Sequence, residues 1–268
     1  MNETMSDLIT YEQDGAIVTL SLNRPELRNP ISDADMVDAL VAALDKLNAD
    51  LGVRVAILTG TGSTFSSGGN LRQMGTAAAD RAPVDTRRFY ETGIQRIPRA
   101  FEALEVPIIA AVNGPAIGAG CDLACMCDMR VAAESARFAE SFVKLGIVPG
   151  DGGAWLLQRI VGYSKACEMA FTGDPLDARA ALACGLVSQV VPDDQLLPAA
   201  RTLAQRIAVN PPHVLRMTKR LLQEARNSRL DTVLQLSAAM QSLAHTTSDH
   251  SEAVEAMLQK RPPNFAGR

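Results

Sequence analysis

VPIIAAVNGPAIGAGCDLACMCDMRVA, residues 106–132, is the stretch on which the fold turns. Residues 106–114 form an unbroken apolar run, the pattern of a strand in a sheet covered on both faces. The chain then turns through Gly114-Pro115 and enters a helix near Gly118-Ala119-Gly120. Free NH groups at that helix start, reinforced by the helix dipole, make an anion site. Upstream, AIVTLSL at 16–22 reads as a strand stopped by Asn23-Arg24-Pro25, and RVAILTG at 53–60 as a second, continuous apolar strand. Between them, Ser32 is placed to cap a helix. Met36, Val37, Leu40, Val41, Leu44 and Leu47 recur at helical spacing, and Asp33 and Asp35 suit the positive end of its dipole. Strands alternating with helices give an α/β fold.

Between the second strand and the third, GTAAADRAP at 75–83 is small, polar and aperiodic, and reads as a mobile loop. After about residue 193 the strand signals stop, and three long amphipathic helices are expected, broken at Asn210-Pro211-Pro212. The chain divides on this basis into an α/β body at 1–192 and a helical region at 193–268. A helical appendage with several apolar faces needs another surface to cover it, which points to a homo-oligomer.

The 268 residues suffice for a large core, and a 47% hydrophobic share with 21% charged residues is that of an ordinary globular chain. A formal net charge of −4 supplies no field for a phosphate backbone, which argues against nucleic acid as a partner. No run reaches membrane-spanning length and the first residues lack an apolar leader, so a cytoplasmic enzyme with no membrane partner is expected. Five cysteines, an odd number, suit a reducing compartment. The trio in CDLACMC has no second CxxC and no nearby histidine, so packed thiols are expected there and no metal. His213, His245 and His250 all fall in the helical region, far from any serine or cysteine of the glycine-rich segments.

The glycines cluster after strands, where open α/β sheets place ligands. In LTGTGSTFSSGGN the pair Gly68-Gly69 permits positive φ and close approach of a ligand to the backbone, although a tight surface turn accounts for it equally. Neither GxxxxGK[ST] nor GxGxxG occurs, which argues against dinucleotide binding.

NRP at 23–25, FSSGGNL at 65–71, residues 106–132, VKLGIVPGDGGAWLLQRIVG at 143–162 and FTGDPLDARAALACGLVSQVV at 171–191 together resemble the crotonase (enoyl-CoA hydratase/isomerase) family along nearly the whole chain. The resemblance implies a spiral of ββα turns with a C-terminal helical trimerisation part, forming a trimer or a dimer of trimers. It implies an acyl-CoA substrate, and no cofactor beyond the CoA moiety of that substrate. Matched residue by residue, Gly69 and Ala119 supply the backbone NH groups of an oxyanion hole. Ala119 stands where glycine is commoner, which a main-chain donor tolerates if its φ and ψ suit a residue with a Cβ. Ser67, Gly68, Asn70 and Leu71 fall where the family wraps the adenine end of CoA. Arg24 and Arg28 approach its phosphates, unless both are simply solvated. Lys260, Arg261 and Phe265 match a family terminus that approaches a neighbouring subunit's CoA, with a frayed end as the plainer alternative.

Acids and bases depart from the hydratase pattern. The family's hydratases place two glutamates at the positions of Asp122 and Phe142, and phenylalanine neither gives nor takes a proton. Three carboxylates are candidates to replace the lost one. Asp122 could face the acyl chain or merely favour the helix dipole. Glu140 would share a face with Phe142 if that segment is extended, or lie at the surface. Asp151, in VPGDGG, is either catalytic or an N-cap. The expected activity is an enoyl-CoA hydratase, with a single-carboxylate enoyl-CoA isomerase as runner-up and a non-catalytic acyl-CoA-binding protein as the rival from another class. Tyr90, Phe89, Ile97 and Met74 are expected to line the acyl pocket.

Overall fold

The computed structural model describes residues 7–71 and 82–268. Two strands, β1 (Ile9–Asp14) and β2 (Ile17–Leu22), form an antiparallel hairpin pairing Ile9 with Leu22 and Asp14 with Ile17. Helix α1 (Ala34–Ala49) crosses to β3 (Val55–Gly60), which lies parallel to β2. Two helices, α2 (Pro83–Thr92) and α3 (Arg96–Ala103), precede β4 (Ile108–Val112), again parallel. From β4 the chain steps into a second sheet through β5 (Pro115–Ile117), enters α4 (Ala119–Met126), and returns to the first sheet as β6 (Met129–Ala133). It then repeats the step with β7 (Arg137–Ala139), followed by α5 (Gly153–Val161) and α6 (Tyr163–Thr172). Short β8 (Leu176–Asp177), α7 (Ala178–Ala183) and β9 (Gln189–Val191) close the spiral. The large sheet runs β1-β2-β3-β4-β6-β9 and the small one β5-β7-β8.

The continuous apolar runs are explained by burial on both faces. In β3, Ala56 and Leu58 join the main core with Leu40, Phe65, Ile108 and Phe138, while Val55 and Ile57 join a second cluster with Ile109, Ala111 and Val131. Leu196, Ala200 and Ala204 of α8 (Leu196–Ala208) seal that second face. The first helix of the C-terminal region is thus part of the sheet's cover. The later helices are α9 (Pro212–Ala225), α10 (Leu230–His245) and α11 (Ser248–Gln259). Helix α9 is anchored by polar groups: buried Arg216 donates to the carbonyls of Asn48 and Asp50, and buried Lys219 to the carbonyl of Val106 and to Asp128. No helix among the described residues is long and apolar enough to cross a membrane.

Several local expectations change. The residue at the start of α1 is Asp33, not Ser32. The Ser32 hydroxyl instead accepts the NH of Asn70 at 2.9 Å, tying the SSGGN loop to the helix start. Strand β1 carries too many polar residues to stand out in the sequence, because as the edge strand it shows one side to water. Of the loop expected at 75–83, residues 75–81 lie outside the described residues, and Pro83 opens α2 as its first helical residue.

Candidate active site

The loop after β3 is stitched to β5 by two backbone hydrogen bonds, Ser66 NH to Pro115 O at 3.1 Å and Ile117 NH to Ser66 O at 3.0 Å. At Gly68, with φ +80°, a Cβ would lie 2.3 Å from Ile117 O and 2.9 Å from Ala119 N. Only glycine lets the loop rest on the start of α4. The backbone NH groups of Gly69 and Ala119 are thereby brought to one cavity wall, and among the described residues neither has a hydrogen-bond acceptor. Ala119 is the first residue of α4, with helical backbone angles that accept a Cβ, while the preceding Gly118 takes φ +54°. Buried Asn29 underpins the loop: its Nδ2 donates to the carbonyls of Thr61 and Thr64, and its own carbonyl accepts the Ser66 hydroxyl. Sequence reasoning missed Asn29. Its one signal is that asparagine tolerates the left-handed backbone, φ +52°, that the turn requires.

The cavity these donors face has a volume of about 150 Å³. Its wall is largely apolar, formed by Tyr90, Ile94, Ile117, Phe142, Leu145 and Ile147. Ser67 and Leu71 lie at the same wall. Tyr90 is there as expected, held over Gly150, where a Cβ would strike its ring. Phe89 is exposed and Ile97 is packed in the core, so neither lines this cavity; Met74 lies outside the described residues.

Asp151 is the one carboxyl in the cavity wall among the described residues. It stands two residues ahead of α5 and does not cap it; Gly152, at φ +114°, occupies that position. Asp122 is wholly buried behind it and does not line the cavity, contrary to the expectation that it faces the acyl chain. Its side chain fills the space over Gly153, where a Cβ would come 2.0 Å from Oδ1. Glu140 is buried too, and the extended backbone stops short of Phe142: β7 ends at Ala139 and residues Ser141–Leu145 form a 3-10 turn. That turn places Phe142 in the wall of this cavity, while Glu140 lines a second cavity with Leu157, Tyr163 and Ala166.

The six oxygens of Asp122, Glu140 and Asp151 are buried from solvent, and among the described residues none accepts a hydrogen bond of ordinary geometry from an N–H or hydroxyl. Asp122 is within hydrogen-bonding reach of both Asp151 and Glu140, Glu140 also of the Cys121 thiol, and Asp151 also of the backbone NH groups of Asp151 and Gly150. Burial, followed by the charges of Glu140 and Asp151, pushes the Asp122 carboxyl well above the usual carboxylate range. Burial also raises Glu140 and Asp151, tempered at Asp151 by Asp122 and by the backbone NH groups of Asp151 and Gly150. Burial and the neighbouring carboxyls thus favour the protonated form of Asp122.

The remaining candidates separate. Arg24 is committed to ion pairs with Asp33 at 3.0 Å and Asp35 at 2.8 Å. Asp33 in turn receives the Asn70 amide at 3.2 Å, so Arg24 and Asn70 brace the loop. Arg28 is exposed, and its carbonyl accepts the Ser67 NH. Leu71 is exposed at the cavity mouth. At the C-terminus, Arg261 pairs with both oxygens of Glu252, drawing that carboxyl down to about 2, and Phe265 O accepts from Arg54. This end is tied down rather than frayed. The His213 ring bonds Gly267 O, and His245 bonds His250. Cys121, Cys125 and Cys127 are buried, and no metal-binding cluster occurs among the described residues.

A family model described as enoyl-CoA hydratase/isomerase matches residues 12–268. The chain belongs to that family. It is 37% identical over 267 residues to the 1,2-epoxyphenylacetyl-CoA isomerase of Escherichia coli, covering 98% of this chain and all of that one. It is 34% identical to the crotonyl-CoA hydratase of Syntrophomonas wolfei, covering 97% of this chain and 98% of that one. The crystal structure of an enoyl-CoA hydratase from Bacillus anthracis superposes with a TM-score of 0.91 at 32% identity, over 97% of this chain and 100% of that one. The protein is accordingly an enzyme of the hydratase/isomerase type, with the fold of ββα turns, and an acyl-CoA is its substrate class. The cavity wall brings together Gly69, Ala119, the ring of Phe142 and, among the described residues, one carboxyl, Asp151.

Proposed function

We propose that the protein is an enoyl-CoA isomerase that seats the thioester oxygen between the NH groups of Gly69 and Ala119 and moves one proton between C2 and C4 with Asp151. The carrying observation is that, among the described residues, Asp151 is the lone carboxyl in the wall of a cavity that also holds Gly69, Ala119 and Phe142. Removing a proton beside a thioester places negative charge on the carbonyl oxygen. Two preorganised donors in an apolar site stabilise that enolate, each by about 3 kcal/mol. Asp151 accepts the proton and returns it at the other carbon, so the step is balanced without a second acid. It calls for no cofactor beyond the CoA moiety of the substrate. In this reading Ser67, Gly68, Asn70 and Leu71 hold the adenine end of CoA, Arg28 meets its phosphates, and Arg24 acts by fixing Asp33 and through it Asn70. The reaction runs in the cytoplasm, in a homotrimer or a dimer of trimers.

Hydration is the second reading, favoured by the hydratase relatives; there Asp151 takes a proton from water and delivers it to C2. Turnover of 2-enoyl-CoA and 3-enoyl-CoA, followed by product mass, separates the two. Isomerised product with no gain of 18 mass units supports isomerisation, and a hydrated product supports the second reading. In either case Asp151→Asn is expected to lower kcat by about 100-fold to 10,000-fold. An Asp151→Asn variant with wild-type kcat removes the assignment of the proton-transferring group.

A further inference from the structure

The segment that carries Asp151 borders two cavities. The acyl cavity has Asp151 in its wall; the second, of about 200 Å³, has Glu140 in its wall together with Pro149, Gly153 and Ala170. Asp122 lines neither, is wholly buried, and reaches both of the other carboxyls. Nothing else satisfies it. An isomerase needs one carboxyl at its substrate, and three buried in a row are costly, because each charged form is deprived of water. Among the described residues Asp122 accepts no hydrogen bond from an N–H or hydroxyl, which serves a mere structural role poorly. Carboxyls within hydrogen-bonding reach of one another can share protons, and shared protons can be passed along.

We propose that Asp151, Asp122 and Glu140 form a proton path from the acyl cavity to the second cavity, by which the proton under transfer exchanges with solvent while acyl-CoA fills the front of the site. The proposal rests on the reading of Asp151 as the group that takes the substrate proton. The steps balance. Asp151, as carboxylate, takes a proton from C2 and becomes the acid. Asp122, protonated at rest, gives its own proton to the Glu140 carboxylate and accepts the one held by Asp151. Glu140 turns toward the second cavity and releases its proton to water, and the reverse order reprotonates the substrate from solvent. No bond to carbon forms or breaks beyond those of the isomerisation itself, and nothing is oxidised or reduced. Asp122 and Glu140 are positioning residues in this scheme, since neither touches the acyl group.

The test is deuterium wash-in during single-turnover isomerisation of 3-enoyl-CoA in D₂O, read by product mass. The wild type is expected to incorporate solvent deuterium. Glu140→Gln and Asp122→Asn, which keep the side-chain shape, should lower incorporation at least fivefold more than they lower the rate, with the substrate's own proton retained. Ala170→Phe, which fills the second cavity and touches no carboxyl, should lower incorporation with the turnover rate unchanged. That variant also guards against misfolding at the buried carboxyls. Incorporation equal to wild type in all three variants, with turnover intact, overturns the proton path and leaves the role of Asp151 standing. Turnover and wash-in that survive Asp151→Asn overturn both.

Discussion

Asp122 occupies its place because residue 153 is glycine: any side chain there would displace it. The result is a carboxyl with no water, no N–H and no hydroxyl, whose raised pKa has a consequence for stability. A buried acid with a raised pKa binds its proton more tightly in the folded state. It therefore contributes stability below the ordinary carboxylate value of 3.8, and that contribution is lost as the pH rises through that value toward the raised one. Asp122→Asn removes the titration and supplies an amide that donates to Asp151 and Glu140. The variant is expected to gain on the wild type by about 1–3 kcal/mol as the pH is raised from 4 to 8. Thermal melts of both proteins at the two pH values check this. A stability difference independent of pH would show that Asp122 does not titrate across that range.

At the scale of elements, the decisive contact is the one between the loop after β3 and the start of α4. Gly68→Ala places a methyl group against Ile117 O and Ala119 N at a position of positive φ, so the loop must lift. Separation of the two NH groups is expected to lower kcat by at least 100-fold, the loss typical of one oxyanion donor, and to lower the melting temperature. Ser67→Ala, one residue away and free of both constraints, serves as the comparison in the same assays. Much of this was legible in the sequence. The apolar runs of β3 and β4 and the glycine-rich turns declare buried parallel strands that end in a ligand site. What stayed hidden depends on direction rather than composition. Asp122, Glu140 and Asp151 are three carboxylates near one site in the sequence, but only the 3-10 turn at 141–145 and the Gly152-Gly153 entry into α5 decide which faces the cavity. Arg24 likewise reads as a free cation until Asp33 and Asp35 fold against it.

The whole molecule leaves a surface that one chain does not cover. Helix α10 has no buried residue, yet it carries Leu230, Leu234 and Leu243, and the neighbouring α11 exposes Met257 at 81% and Leu258 at 80%. Burying each such side chain contributes about 1.5–3 kcal/mol, so a second copy of the chain is the economical cover. The appendage does not depend on that copy for its attachment. Arg54 holds Ala208 O and Phe265 O, Arg216 holds Asn48 O and Asp50 O, and Lys219 holds Asp128, all within the protomer. Assembly and folding should consequently separate. Light scattering of the wild type is expected to give the mass of three or six chains. The paired substitution Leu234→Asp and Leu243→Asp should give single chains with an unchanged helical circular dichroism signal. A wild type that runs as a single chain would refute the oligomer, and loss of helicity in the variant would show that these leucines support the protomer rather than its assembly.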